Sequence, residues 1–307
     1  MGRLTSPLPA ASIVSLAAAA LLLAACVGPS RFFPENRSLV GIPPDKIVVV
    51  WSHGSRADRK PDTCAPDGSA LFGYAAVPAA VLGLADEPDI LVLADCQFPR
   101  GQKGAPELEA ERYQPCDSLE PTIGDSYKEI KVCRRADDLR RLVIELGRSV
   151  PPDHIFLAGA SAGAWASLLV ARDPDRRFNA VIGFAPAFAG REEGRPDSWR
   201  AASEEHYRYL ETAPRLPALV FAFAGDPYEN PDRLARLGNL PELQLVTFPG
   251  EGTDRSCGFG LDNPFGGAHR CADALWMPGV ATPMMRDYIR CRVADPHGEC
   301  RVSPPQG

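Results

Sequence analysis

Basic runs are missing from this chain, and with them the usual sign of nucleic-acid binding. Lys and Arg total 33 against 39 Asp and Glu, and the net charge of -6 leaves no basic-aromatic face. That balance argues against a nucleic-acid partner. There is no Cys-x-x-Cys and no clustered pair of histidines, so no zinc site is expected. A phosphate-cradling loop is missing too: Gly258-Phe259-Gly260 lacks a strand-to-helix setting and a third glycine, which leaves nucleotide cofactors without a site. No cofactor of any kind is expected. Nor is there an internal repeat or a sharp break in composition. What is present is 307 residues, 45% of them hydrophobic, enough to bury the full core of one α/β domain once the ends are trimmed.

The first residues read as an export signal. Arg3 is the only early positive charge, and Ile13 to Ala25 is an apolar run rich in Ala and Leu. It is short for a spanning helix and suits a signal-peptide core. It ends in Leu23-Ala24-Ala25-Cys26, which resembles the bacterial lipobox. The resemblance implies a signal peptide over 1–25 and a diacylglyceryl-modified Cys26 as the first mature residue. Val27 stands where an inner-membrane retention signal has Asp, so the resemblance implies the outer membrane, if the cell has one. Residues 26–45, with Gly28-Pro29, Pro34 and Pro43-Pro44, read as a tether.

Export gives the cysteines a use. Of nine, Cys26 is set aside; Cys64, Cys96, Cys116, Cys133, Cys257, Cys271, Cys291 and Cys300 remain. An even set in an oxidising compartment reads as disulfides. Clustering along the chain favours Cys116 with Cys133, Cys257 with Cys271, and Cys291 with Cys300, leaving Cys64 and Cys96 to each other.

Continuous apolar runs mark strands buried on both faces. They occur at Lys46 to Trp51, Asp89 to Ala94, Ile155 to Ala158, Asn179 to Ala185, Ala218 to Ala224 and Leu243 to Phe248. Between them, Gly73 to Leu84, Lys128 to Ser149, the stretch after residue 163, Asp232 to Leu237 and Pro283 to Arg292 read as helices. Residues 97–125 and 190–214 are polar excursions, the second a helical insert or small cap. The alternation predicts an α/β fold with a mainly parallel central sheet, helices on both faces and disulfide reinforcement. Sites in such sheets lie at the carboxyl ends of the strands.

One pentapeptide stands at such an end. Gly159-Ala160-Ser161-Ala162-Gly163 follows the run His154 to Ala158 and opens the helix-like Ala164 to Ala171. Gly-x-Ser-x-Gly between strand and helix is the nucleophile elbow, a turn so tight that only minimal side chains fit beside the serine. A serine hydroxyl barely attacks at neutral pH unless a base takes its proton, so a histidine must be within reach.

With these motifs, residues 46–292 resemble the α/β-hydrolase superfamily, on the elbow, the chain order and the His53-Gly54 pair after the first core strand. The resemblance implies an order of nucleophile, acid and histidine. Ser161 is then the nucleophile and His269, after the last strand and before the last helix, the base. His297, in the tail 293–307, is the runner-up. His206 precedes the acid and breaks the order, and His154 starts a strand at the wrong end of the sheet. Asp226, directly after a core strand, is the acid, with Glu229 and Asp232 as replacements. Backbone N–H groups of Gly54 or Ser55, with that of Ala162, would form the oxyanion hole, with His53 structural.

Phe184, Phe188, Trp199 and Tyr228 read as core or as pocket lining, and Glu192-Glu193 and Glu204-Glu205 as solvent-facing. The expected function is an exported, lipid-anchored serine hydrolase cleaving a small carboxylic ester. The alternatives are acyl transfer or peptide hydrolysis on the same residues, or a non-catalytic envelope lipoprotein using the scaffold for binding.

Overall fold

The computed structural model describes residues 42–54, 77–95, 131–188, 190–248, 267–274 and 277–303. In chain order the elements are β1 (Ile47–Ser52), α1 (Ala79–Leu82), β2 (Ile90–Asp95), α2 (Lys131–Leu146), β3 (Ile155–Ala160), α3 (Ala162–Ala171), β4 (Ala180–Phe184), α4 (Asp197–Glu211), β5 (Ala218–Phe223), α5 (Pro231–Leu234), β6 (Leu243–Phe248) and α6 (Met277–Ala294). Among the described residues six strands form one sheet in the order β2-β1-β3-β4-β5-β6, and every pair is parallel.

Parallel strands need crossovers, and the crossovers cover both faces, which is why the strands read as unbroken apolar runs. Alternate residues of each strand go to opposite cores. Val48 and Val50, Ile155 and Leu157, and Ala218, Val220 and Ala222 pack with α2, α3 and α4. Ile47, Val49 and Trp51, Phe156 and Ala158, and Leu219, Phe221 and Phe223 pack with α1 and α6. All ten residues of α3 are buried, so this helix shows no polar face.

The strand order also locates the site. From β1 the chain moves outward to β2, then returns past β1 to β3 and continues the other way. The direction therefore reverses between β1 and β3, and a crevice opens outside the carboxyl ends at such a switch point. The register pairs Ser52 with Gly159, so the loops leaving β1 and β3 emerge level with each other.

Three helices differ from expectation. The stretch Gly73 to Leu84 is helical only over α1, Ala79–Leu82, with a 3-10 turn over Gly83–Asp86 after it and 73–76 outside the described residues. Asp232 to Leu237 is a single turn, α5, followed by a 3-10 turn over Ala235–Leu237. The last helix begins at Met277, and Pro283 lies inside it rather than at its start. Proline favours a first turn because it lacks an N–H. Here the covering of α6 by the sheet outweighs the missing hydrogen bond, with Met277, Ala281, Met284, Met285, Tyr288 and Ile289 all buried.

Cys291 and Cys300 are joined, with Cα atoms 5.8 Å apart. The segment after α6 is fastened further by Gln244, whose side chain exchanges two hydrogen bonds with Val302. Cys133 and Cys271 each take part in a separate disulfide as well. The other cysteines, Cys64, Cys96, Cys116 and Cys257, lie outside the described residues, as do Cys26, Ser55, the tether up to residue 41 and all of 97–125. No helix among the described residues is long and apolar enough to cross a membrane.

Candidate active site

Ser161 stands between β3 and α3 with φ 53° and ψ -123°, a backbone region that side chains other than glycine's rarely enter. Three backbone hydrogen bonds hold it there. Its N–H donates to Phe184 O at 3.0 Å, and its carbonyl accepts from Trp165 N at 3.0 Å and Ala187 N at 3.2 Å. The flanking glycines make room for the bend. A Cβ on Gly159 would sit 2.8 Å from Ala164 N, and one on Gly163 would sit 2.7 Å from His53 O and closer still to Ser52 O. Both are far inside contact distance, so the start of α3 rests directly on the end of β1.

Asp226 and His269 arrive from other elements. Asp226 follows β5 through Gly225, whose φ of 78° suits glycine. Its side chain is 1% exposed, and Oδ1 accepts from Tyr228 N at 2.8 Å. His269 lies on a 3-10 turn, Ala268–Asp273, that begins at Gly267 with φ 82°. Its Nδ1 is 2.8 Å from Asp226 Oδ2 and 3.0 Å from Oδ1, while Nε2 is 2.8 Å from Ser161 Oγ. The Tyr228 ring lies against the imidazole, centroid to centroid at 4.1 Å. The three side chains thus form one hydrogen-bonded series, with the carboxylate fixing the orientation of the ring that meets the hydroxyl.

Near the hydroxyl lie two amides. A Cβ built on Gly54 would be 3.2 Å from Ser161 Cβ and 3.8 Å from its Oγ, so Gly54 itself abuts the serine. Ala162 opens α3, where the first N–H groups have no partner within the helix. Among the described residues neither the Gly54 nor the Ala162 N–H has an acceptor.

The fold is that of an α/β hydrolase. The parallel sheet, the elbow at the switch point, the acid after β5 and the histidine before α6 together set it. No protein-family model matches the sequence, and no curated protein matches it. Solved structures similar to this chain include the DcsB complex with its substrate analogue, at 13% identity over 81% of this chain and 92% of that one, TM-score 0.48. The S-formylglutathione hydrolase from Agrobacterium tumefaciens is similar at 14% identity over 81% and 84%, TM-score 0.45. The esterase Est2 of Thermogutta terrifontis with propionate bound is similar at 16% identity over 76% and 82%, TM-score 0.41.

The fold places the remaining candidates elsewhere. Glu229 is wholly buried against Arg195 at 3.0 Å and Tyr207 Oη at 2.9 Å. Burial raises its pKa, opposed by Arg195 and Arg233; it is a structural ion, not the partner of His269. Asp232 is exposed and follows the cap Asn230. His297 is exposed and lies 3.0 Å from Arg215 Nη1. His154 is half-buried at the start of β3. His206 is wholly buried, accepts from Trp165 Nε1 at 3.0 Å, and has its pKa pushed down to about 3 by burial, which keeps it neutral. Phe184 and Phe188 are core residues at 0% and 2% exposure, and Trp199 packs on Phe188.

Three features were missed in the reading of the sequence. Glu192 and Glu204 do not simply face water: Arg233 bridges them at 3.0 and 2.7 Å, tying α4 and the segment before it to α5. Arg195 is 1% exposed and donates to Tyr228 O at 2.8 Å as well as to Glu229. Arg135 of α2, 2% exposed, donates to the carbonyls of His53 and Gly54. A signal for Arg135 existed, since it falls at i+3 from Val132 and i-4 from Leu139, on the apolar stripe of its helix. Among the described residues no group of three or more His, Cys, Asp or Glu could hold a metal ion.

Proposed function

We propose that this chain is a serine hydrolase that cleaves a small carboxylic ester through an acyl-enzyme. Ser161 Oγ attacks the ester carbonyl carbon while His269 Nε2 takes the hydroxyl proton, and Asp226 steadies the imidazolium that forms. The carbonyl oxygen becomes an oxyanion facing the amides of Gly54, Ser55 and Ala162. As the intermediate collapses the carbon–oxygen bond to the alcohol breaks, and the alcohol leaves with the proton from His269. Water, deprotonated by His269, attacks the acyl carbon in turn and frees the acid and Ser161.

The observation that carries this reading is the 2.8 Å separation of His269 Nε2 from Ser161 Oγ, with Nδ1 of the same ring on Asp226. A fluorophosphonate probe is expected to attach to wild-type protein at Ser161, located by peptide mass, and Ser161→Ala to remove the label. An unlabelled wild type beside a reactive control hydrolase would refute the catalytic reading.

We also propose that the mature protein is held in the bacterial cell envelope by lipid on Cys26, a reading that rests on Leu23-Ala24-Ala25-Cys26 behind the apolar run. Cys26→Ser is expected to move the protein from the membrane to the soluble fraction. An unchanged distribution would reject the anchor.

A further inference from the structure

We propose that Arg135 is a positioning residue for the oxyanion side of the site, holding the loop after β1 so that the Gly54 amide stays available beside Ser161. The inference rests on the serine-hydrolase reading.

Arg135 projects from α2 toward the end of β1, 82 residues earlier in the chain. Its Nη1 donates to His53 O, and its Nη2 donates to Gly54 O at 3.2 Å and lies 3.3 Å from His53 Nδ1. One guanidinium thus spans two consecutive carbonyls. A planar fork holds both with its donors fixed in place, whereas an ammonium on a flexible stem fixes neither direction. No peptide bond among the described residues is cis. In a trans peptide the carbonyl and the N–H of the next residue point opposite ways. With His53 O turned to Arg135, the Gly54 N–H is turned away from it, and that N–H has no acceptor among the described residues.

Gly54 gains its usefulness and its weakness from the same cause. Without a Cβ it can lie against Ser161, where a methyl group would meet Ser161 Cβ at 3.2 Å. A glycine also lets its flanking peptides rotate at little cost, and a rotation of the His53–Gly54 peptide would aim a carbonyl oxygen where the amide is needed. The fork on both carbonyls opposes that rotation. It also places a positive charge behind the peptide unit, so that the C=O and N–H polarise each other when an oxyanion forms in front. A residue that merely filled space or satisfied two carbonyls would affect folding alone. One that keeps the amide poised acts on the transition state, and so on kcat.

The test uses the full chain, with Arg135→Lys and Arg135→Gln checked for folding by near-ultraviolet circular dichroism. For a folded variant, kcat for a nitrophenyl ester is expected to fall by about a hundred- to a thousandfold, the usual effect of losing one oxyanion donor. KM should change by less than about threefold, the mark of an interaction made only in the transition state. Affinity for a trifluoromethyl ketone, which forms a tetrahedral oxyanion on the serine, should fall in step with kcat. A folded variant with wild-type kcat, or one impaired only in KM, overturns the proposal.

If neither variant folds, the wild type decides. Forming the trifluoromethyl ketone adduct should move the Arg135 guanidinium proton signals downfield, and unmoved signals overturn the proposal. A wild type inert to fluorophosphonate overturns the hydrolase reading with it, whereas a reactive wild type with fully active variants overturns this inference alone.

Discussion

Replacing His269 with alanine is expected to lower turnover of a short-chain nitrophenyl ester by about four to six powers of ten, the range seen when a unit of nucleophile and base loses a member. Without the imidazole 2.8 Å from Ser161 Oγ, no other side chain among the described residues is hydrogen-bonded to the hydroxyl to take its proton, and the neutral hydroxyl is a poor nucleophile. The fold should survive, because His269 lies on a short 3-10 turn rather than within a strand. A second measurement separates loss of the base from general damage. If Ser161 and His269 act as one unit, the double variant with Ser161→Ala should be no slower than the worse single variant. Retention of more than about a tenth of the activity in folded His269→Ala would assign the base elsewhere.

Glu229→Ala is expected to destabilise the fold by about 3–5 kcal/mol, because removing one partner of a buried ion pair leaves the other charge buried without compensation. The Glu229 carboxylate is 0% exposed and the Arg195 side chain 1% exposed, 3.0 Å apart. The same carboxylate accepts from Tyr207 Oη and lies 3.4 Å from Arg233, so three groups lose a partner together. Arg195 also holds Tyr228 O at 2.8 Å, and the Tyr228 ring backs His269, so activity at permissive temperature should fall as well. Glu229→Gln, which keeps the volume and one acceptor, should cost less. Urea titration gives the measurement. A loss below about 1 kcal/mol would mean that water or rearrangement replaces the carboxylate, and the network would not be the fastening of α4 to the acid loop that its geometry suggests.

Local patterns made much of this legible. Each strand announced itself because both faces of a parallel sheet are covered and the run stays apolar throughout. Gly159 and Gly163 stood out because the elbow has no room for a Cβ, and the contacts with Ala164, Ser52 and His53 are the reason. Asp226 and His269 could be named from chain order against a known fold. The same chain order ranked them ahead of Glu229 and His297, although all four are titratable residues near strand or helix ends and no local pattern pairs one with another. The misread cases share a cause. Pro283 has a strong local preference that packing overrode. Glu192 and Glu204 have nothing in their neighbourhood to announce Arg233, 41 and 29 residues away.

By itself the sequence determined the alternation of strand and helix, the two-faced burial and the serine at a tight strand-to-helix turn, because each depends on neighbours a few residues apart. Only the tertiary structure decided which carboxylate meets which histidine, that Glu229 belongs to Arg195, and that Arg135 reaches the loop beyond β1. Those pairings join side chains tens of residues apart. Their partners are chosen by strand order and register, and no short stretch of chain carries that information.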